Sequence, residues 1–327
     1  MAVINRDGPV APSRPHPVRR ARLIVGSVAA GVTLAVLWSF ELVDHVIGDS
    51  VANSLLGHDA KATAIGGTVA GLTFALVSGL AGTFTACNIA MAASIGPLSS
   101  ASARTAGTGA DATAARRASA SVAGRNGLRT LLRPLGWLLL GAVTVSACYG
   151  FVGVLLGDRL PQLSTATVGD MPVRLVQSAV VFGVVGLAFC YLGLAVLGVL
   201  PDPFARRPVA RVVTLGALIG GFLIGRPFPL FTKLFRWAVE EGNPLYGAAA
   251  FVLQSVGNIL VVAALFAVLI AGSRGRFLRW LTGSPVRAAA ISGALLLALG
   301  VFTVVYWDIR LPARFGYGWF PTLPYNS

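Results

Sequence analysis

The apolar run 63–98 limits what this chain can fold into more than any other feature. It is about 36 residues long, or about 54 Å as one straight helix, against about 30 Å of bilayer hydrocarbon. That is too long for one simple crossing. Within it, residues 79–97 read GLAGTFTACNIAMAASIGP. They place Gly79, Gly82, Thr83, Thr85, Cys87 and Asn88 where a plain spanning helix carries Leu and Val. A helix kinked or broken at membrane depth explains both facts. Such breaks persist only where the freed backbone is buried in protein or lines a wet cavity. A second stretch of the same kind, GGFLIGRPFPLFTKLF at 220–235, holds Pro227 and Pro229, each without a backbone N–H. Two interrupted segments, one in each half, point to the site of a membrane protein built from inverted repeats. Taken singly, each also reads as a kinked helix with small residues for packing.

Composition supports a membrane assignment. Charged residues are 12% of the chain and the mean hydropathy is +0.77; a soluble domain carries about 25% charged residues. No segment is polar enough for a sizeable soluble domain. The net charge of +14 does not indicate nucleic-acid binding, because the basic residues sit in short loops between spans, where membrane orientation accounts for them. Lipid is the expected partner. No nucleotide-binding glycine motif, hydrolase elbow or metalloprotease helix occurs, and His16, His45 and His58 are too scattered for a metal site. No cofactor is implied.

Seven spans are expected, near 23–46, 63–98, 134–156, 175–200, 212–235, 247–271 and 288–307. Residues 1–21 form a basic, Pro-rich tail expected to be disordered, and 22–62 hold a leading helix, retained rather than cleaved, with an outer loop. A first three-helix repeat covers 63–200, with a flexible Ala/Ser/Thr/Gly-rich loop at 99–133. A basic connector follows at 201–211. A second repeat covers 212–307, and an aromatic tail at 308–327 suits a membrane interface. With the N-terminus in the cytoplasm, 18 of the 26 Lys and Arg fall on the inner side, which leaves the C-terminus outside. Spans two to four then run opposite to spans five to seven. The expected fold is an all-α polytopic membrane protein of seven helices: one leading helix plus an inverted three-plus-three repeat with broken first helices.

Three groups of residues are candidates for chemistry. Glu41, Asp44 and His45 have the i, i+3, i+4 spacing of one helix face near the outer end of span one, which fits either a cation or proton site or a wet helix end. Gln254 and Asn258 lie one turn apart in span six, so both amides face helices or a cavity rather than lipid. Cys87, Cys148 and Cys190 all lie in apolar runs. An odd number of cysteines within spans is not a secreted disulfide framework, and each also reads as a small packing residue.

The stretches GLAGTFTACNIAMAASIGP, GGFLIGRPFPLF and GNPLYGAAAFVLQSVGNILVV together resemble the cytochrome c biogenesis transmembrane family, the CcdA/DsbD group of thiol–disulfide electron carriers, over about residues 63–307. The resemblance implies two inverted three-helix repeats that pass reducing equivalents from thioredoxin-like partners across a bacterial inner membrane. It implies a redox role for Cys87. Ala86 stands where the family carries a proline, and Phe228 stands where it carries the second cysteine, so the family's standard pair is missing, with Cys148 and Cys190, on helices of the first repeat, as candidate substitutes. Two mechanisms remain open. In one, Cys87 exchanges with partner thiols through mixed disulfides, with Arg226 lowering its pKa. In the other, the scaffold moves a small solute or ion through a cavity lined by Thr83, Thr85, Asn88, Arg226, Pro227, Pro229, Gln254 and Asn258, an intramembrane Arg being a functional hypothesis by default. A non-catalytic assembly factor is a third reading.

Overall fold

The computed structural model describes residues 17–39, 41–82, 125–273, 276, 280 and 284–323. The fold is helical: α1 (Pro17–Leu37), α2 (Asp49–Leu56), α3 (Gly67–Ala81), α4 (Arg125–Leu156), α5 (Val173–Val196), α6 (Pro208–Ile224), α7 (Pro229–Glu240), α8 (Pro244–Gly272), α9 (Pro285–Val304) and α10 (Leu311–Arg314). Among the described residues, five helices are long and apolar enough to cross a membrane, or six when α6 and α7 are counted as one bent pair. α3 is a shorter apolar helix, and the rest of expected span two lies outside the described residues.

Punctuation in the sequence accounts for most helix ends. Pro208, Pro229, Pro244 and Pro285 each open a helix, where the missing N–H costs nothing. Gly242, with φ of +66°, turns the chain out of α7. Asn243 then starts α8 by accepting from the Leu245 N–H at 2.9 Å. Pro227 and Pro229 end α6 as expected, but α7 turns away from it by 87° rather than continuing a kinked span.

Other expectations need correction. Span one is not a single helix to residue 46. α1 stops at Leu37, and Glu41–Gly48 is π-helical. Ser39 causes the interruption, its hydroxyl accepting from the Leu42 N–H at 3.3 Å and starting a new helical segment. Glu41, Asp44 and His45 lie on this π-helical stretch rather than on an α-helix, and Glu41 is exposed. The expected loop 99–133 is helical from Arg125 onward, because the Leu- and Arg-rich segment favours helix and Pro134 does not end it. A two-residue hairpin, Thr167–Val168 against Met171–Pro172, lies in the α4–α5 connection, where no strand was expected. Span seven continues past Val304 as a π-helix, Val305–Arg310. Trp307 is therefore packed in the core against Phe182, with ring centroids 4.3 Å apart.

Helix pairing carries the inverted repeat. The large interfaces are α4 with α6, α3 with α8, α4 with α8, α5 with α9, and α1 with α9. Exchanging α3, α4 and α5 for α6, α8 and α9 returns the same set of pairs among these six helices. Direction agrees: Leu138 and Ala142 meet Gly216 and Gly220, so α4 and α6 run the same way. Ser146 meets Ser255 and Gly150 meets Gly247, so α4 and α8 run opposite ways.

The correspondence holds residue by residue. A methyl group on Gly79 would lie 2.1 Å from the Gln254 carbonyl oxygen, and one on Gly216 would lie 2.0 Å from that of Leu138. Gly257 sits against Leu76 and Leu80, as Gly141 sits against Val213 and Ala217. One shift in residue number turns Leu76, Gly79 and Leu80 into Val213, Gly216 and Ala217. A second turns Gln254 and Gly257 into Leu138 and Gly141. Small residues let these backbones touch, which is how helices associate without a hydrophobic drive between them.

Candidate functional site

The two repeats match in backbone but not in polarity. On one side Ser78 of α3 faces Gln254 of α8. The corresponding positions on the other side are Leu215 and Leu138, both buried apolar core residues. The polar pair therefore has a reason other than symmetry.

Ser78 and Gln254 line a small pocket that is open to solvent at its mouth. It sits where the end of α3 meets the α6–α7 break. Ala81 and Gly82 contribute from α3, Arg226 and Phe228 from the break, Pro229, Leu230 and Phe231 from the start of α7, and Gly48 and Asp49 from the approach to α2. Gln254 lies ten residues into α8, about 15 Å along its axis, near half the thickness of a bilayer.

Arg226 is buried, with 3% of its surface exposed. Its Nη2 donates to the Gly82 carbonyl at 2.9 Å, and its guanidinium lies 5.0 Å from the centre of the Phe228 ring. A cation at the C-terminal end of α3 complements that helix's dipole. The same contact joins the C-terminal end of α3 to the end of α6. Gly82 is required for it: a methyl group there would lie 2.5 Å from Nη1.

Two glutamines that the sequence reading passed over hold the break open. Ending α6 frees carbonyls that no helical N–H can reach. Gln177 of α5 donates to the Ile224 carbonyl at 3.0 Å, and Gln162 donates to the Arg226 carbonyl at 2.5 Å. Gln162→Leu or Gln177→Leu is expected to cost about 1–3 kcal/mol, the usual penalty for an unpaired buried carbonyl. The measurement is thermal unfolding of the purified protein in detergent, which would show no loss if the carbonyls found other donors.

Gln254 carries the second signal. Its Nε2 donates to Ser78 Oγ at 3.1 Å, while the Ser78 hydroxyl is spent on the Ala75 carbonyl at 2.9 Å. That leaves Ser78 only an acceptor, which fixes the amide's orientation. Gln254 Oε1 is then left buried with no hydrogen-bond partner among the described residues. A buried unpaired acceptor costs about 1–3 kcal/mol, a cost that a ligand or an ordered water would remove.

On the pocket's rim Asp49 pairs with Lys61 at 2.5 Å. Lys233 of α7 donates to the carbonyls of Ala60 (2.7 Å), Lys61 (3.0 Å) and Thr63. Its ammonium also lies 5.6 Å from the centre of the Phe74 ring. These contacts tie the loop between α2 and α3 to α7.

Of the candidate residues, the pocket gathers Arg226, Pro229 and Gln254. Pro227 and Asn258 do not line it; Asn258 is buried one turn further along α8. Cys87, Thr83, Thr85 and Asn88 lie outside the described residues. Cys148 is exposed on α4 and Cys190 half-buried on α5 beside Gly300, and both are free thiols. Ser78 and Asp49 had no sequence signal beyond being polar residues in or beside apolar runs. No protein-family profile matches the chain, and no curated protein and no solved structure matches it.

Proposed function

We propose that this membrane protein is a secondary transporter or permease that binds a small solute between its two inverted repeats. The observation that carries the reading is the buried Arg226 guanidinium, set between the end of α3 and the α6–α7 break and lining a pocket there. A buried charge in a spanning protein is costly and marks a binding or conduction site by default. Inverted-repeat carriers place their sites at such helix breaks. The Lys and Arg distribution supports a plasma-membrane protein with a cytoplasmic N-terminus.

The reading is tested with protein reconstituted in vesicles and offered an equimolar mixture of small carboxylates, amino acids and amines, with the retained solutes identified by mass spectrometry. The wild type is expected to retain at least one solute above empty vesicles, and Arg226→Leu to return it to background. Equal retention by both proteins would contradict the proposal.

A second reading, thiol–disulfide exchange through Cys87, is favoured by the break at 225–228, which falls where the resemblance to the cytochrome c biogenesis family puts the second interrupted helix. Acid quenching and mass-tag alkylation of membranes test it. A reductant-sensitive disulfide lost in Cys87→Ser supports exchange, and three permanently reduced thiols exclude it.

A further inference from the structure

We infer that the pocket takes a small carboxylate with a hydrogen-bond donor on the neighbouring atom, an α-hydroxy or α-amino acid of about the size of glycolate or glycine. The inference rests on the carrier reading for its purpose, but its chemistry comes from three features of the walls.

The first feature is a positive end. Arg226 lines the pocket, and so do Pro229, Leu230 and Phe231, the first three residues of the 12-residue helix α7. No side chain caps that helix. Pro229 brings no N–H and that of Thr232 goes to the Phe228 carbonyl, so the first turn offers the N–H groups of Leu230 and Phe231 and the positive end of a helix dipole, beside a guanidinium, a group that bonds carboxylates in pairs.

The second is an acceptor end. Gln254 is 1% exposed, its nitrogen is held on Ser78, and Oε1 has no partner among the described residues. An acceptor alone repels a bare anion. It fits a ligand that brings its own O–H or N–H, and binding such a donor removes the cost of leaving Oε1 unpaired. Asp49, on the same wall, adds a carboxylate that tolerates an ammonium group.

The third is size. The space within the walls is only about 20 Å³ for the centre of a water-sized body, which admits nothing larger than a handful of heavy atoms.

The two ends act on different parts of the ligand, so they should separate in a binding experiment. Purified full-length protein in detergent is titrated with glycolate, glycine, acetate and ethylammonium, with binding read by tryptophan fluorescence and checked by calorimetry. Glycolate or glycine is expected to bind saturably and roughly tenfold more tightly than acetate, and ethylammonium not to bind. Glycine binding above glycolate would assign the donor as an ammonium, and the reverse order as a hydroxyl. Gln254→Leu should abolish the preference over acetate, bringing the preferred ligand and acetate to similar affinities. Arg226→Lys should weaken every acid.

The inference is overturned if no acid binds saturably, if ethylammonium binds best, or if Gln254→Leu leaves the preference over acetate intact. Binding without uptake into vesicles would refute the carrier reading and leave the ligand class standing. Uptake of a cation without acid binding would do the opposite.

Discussion

Arg310→Leu is expected to destabilise the protein by about 2–6 kcal/mol, about 1–3 kcal/mol for each of the two backbone carbonyls it leaves without this donor. Arg310 is 1% exposed. Its Nη1 donates to the carbonyls of Ala35 at 2.6 Å and Trp38 at 2.7 Å, and its guanidinium stacks 5.0 Å from the centre of the Tyr306 ring. Ala35 lies in the last turn of α1 and Trp38 just past its end, where the helical N–H donors run out. A cation there satisfies both oxygens and complements the negative end of the dipole. Leucine fills part of the space but leaves two buried acceptors bare. Arg310→Lys keeps the charge and loses the planar stack, so an intermediate loss is expected. Thermal unfolding in detergent measures the stability, and hydrogen exchange at 36–42 reports whether α1 has come loose. Exchange there matching the wild type would show that Arg310 does not hold α1.

Gly82→Ala should separate function from stability. The methyl group would meet the tip of the Arg226 side chain, 2.5 Å from Nη1 and 2.8 Å from Nη2, and no backbone atom is as close. A flexible side-chain tip yields at little cost, so stability should stay within about 1 kcal/mol of wild type. The guanidinium, however, must move by about an ångström and give up its alignment on the Gly82 carbonyl. Misplacing a binding group by that distance can cost about a hundredfold in activity. Uptake should fall by about that factor while the unfolding temperature barely moves. Unchanged uptake would mean that the position of Arg226 does not matter to transport.

The apolar runs made most spans legible, because a spanning helix must be apolar over nearly its whole length. The break at Arg226 was legible too: two prolines two residues apart cannot both sit inside a helix. Arg226 and Gln254 stood out as polar groups where hydrocarbon was expected. Their partners did not. Ser78 lies 176 residues from Gln254, and only helix pairing brings the two together. Gln162 and Gln177 read as loop and span-end residues, since nothing local shows that they satisfy carbonyls in another helix. The end of α1 was missed because Ser39 interrupts the helix through a single hydroxyl, with no proline or glycine to announce it. Gly186 and Gly193, like Gly293 and Gly300, show a seven-residue spacing in the sequence. It gains meaning only when α5 and α9 are seen to touch at those four positions.

The central claim, a solute site that opens in turn to the two sides of the membrane, is tested most directly by access to Ser78. Ser78→Cys would be placed in a background with Cys87, Cys148 and Cys190 replaced by Ser. An impermeant thiol reagent would then be applied to right-side-out and inside-out vesicles, with and without a solute the protein retains. The account predicts labelling from both sides and protection by the solute. Labelling from one side only, indifferent to solute, would contradict it and leave a static membrane scaffold.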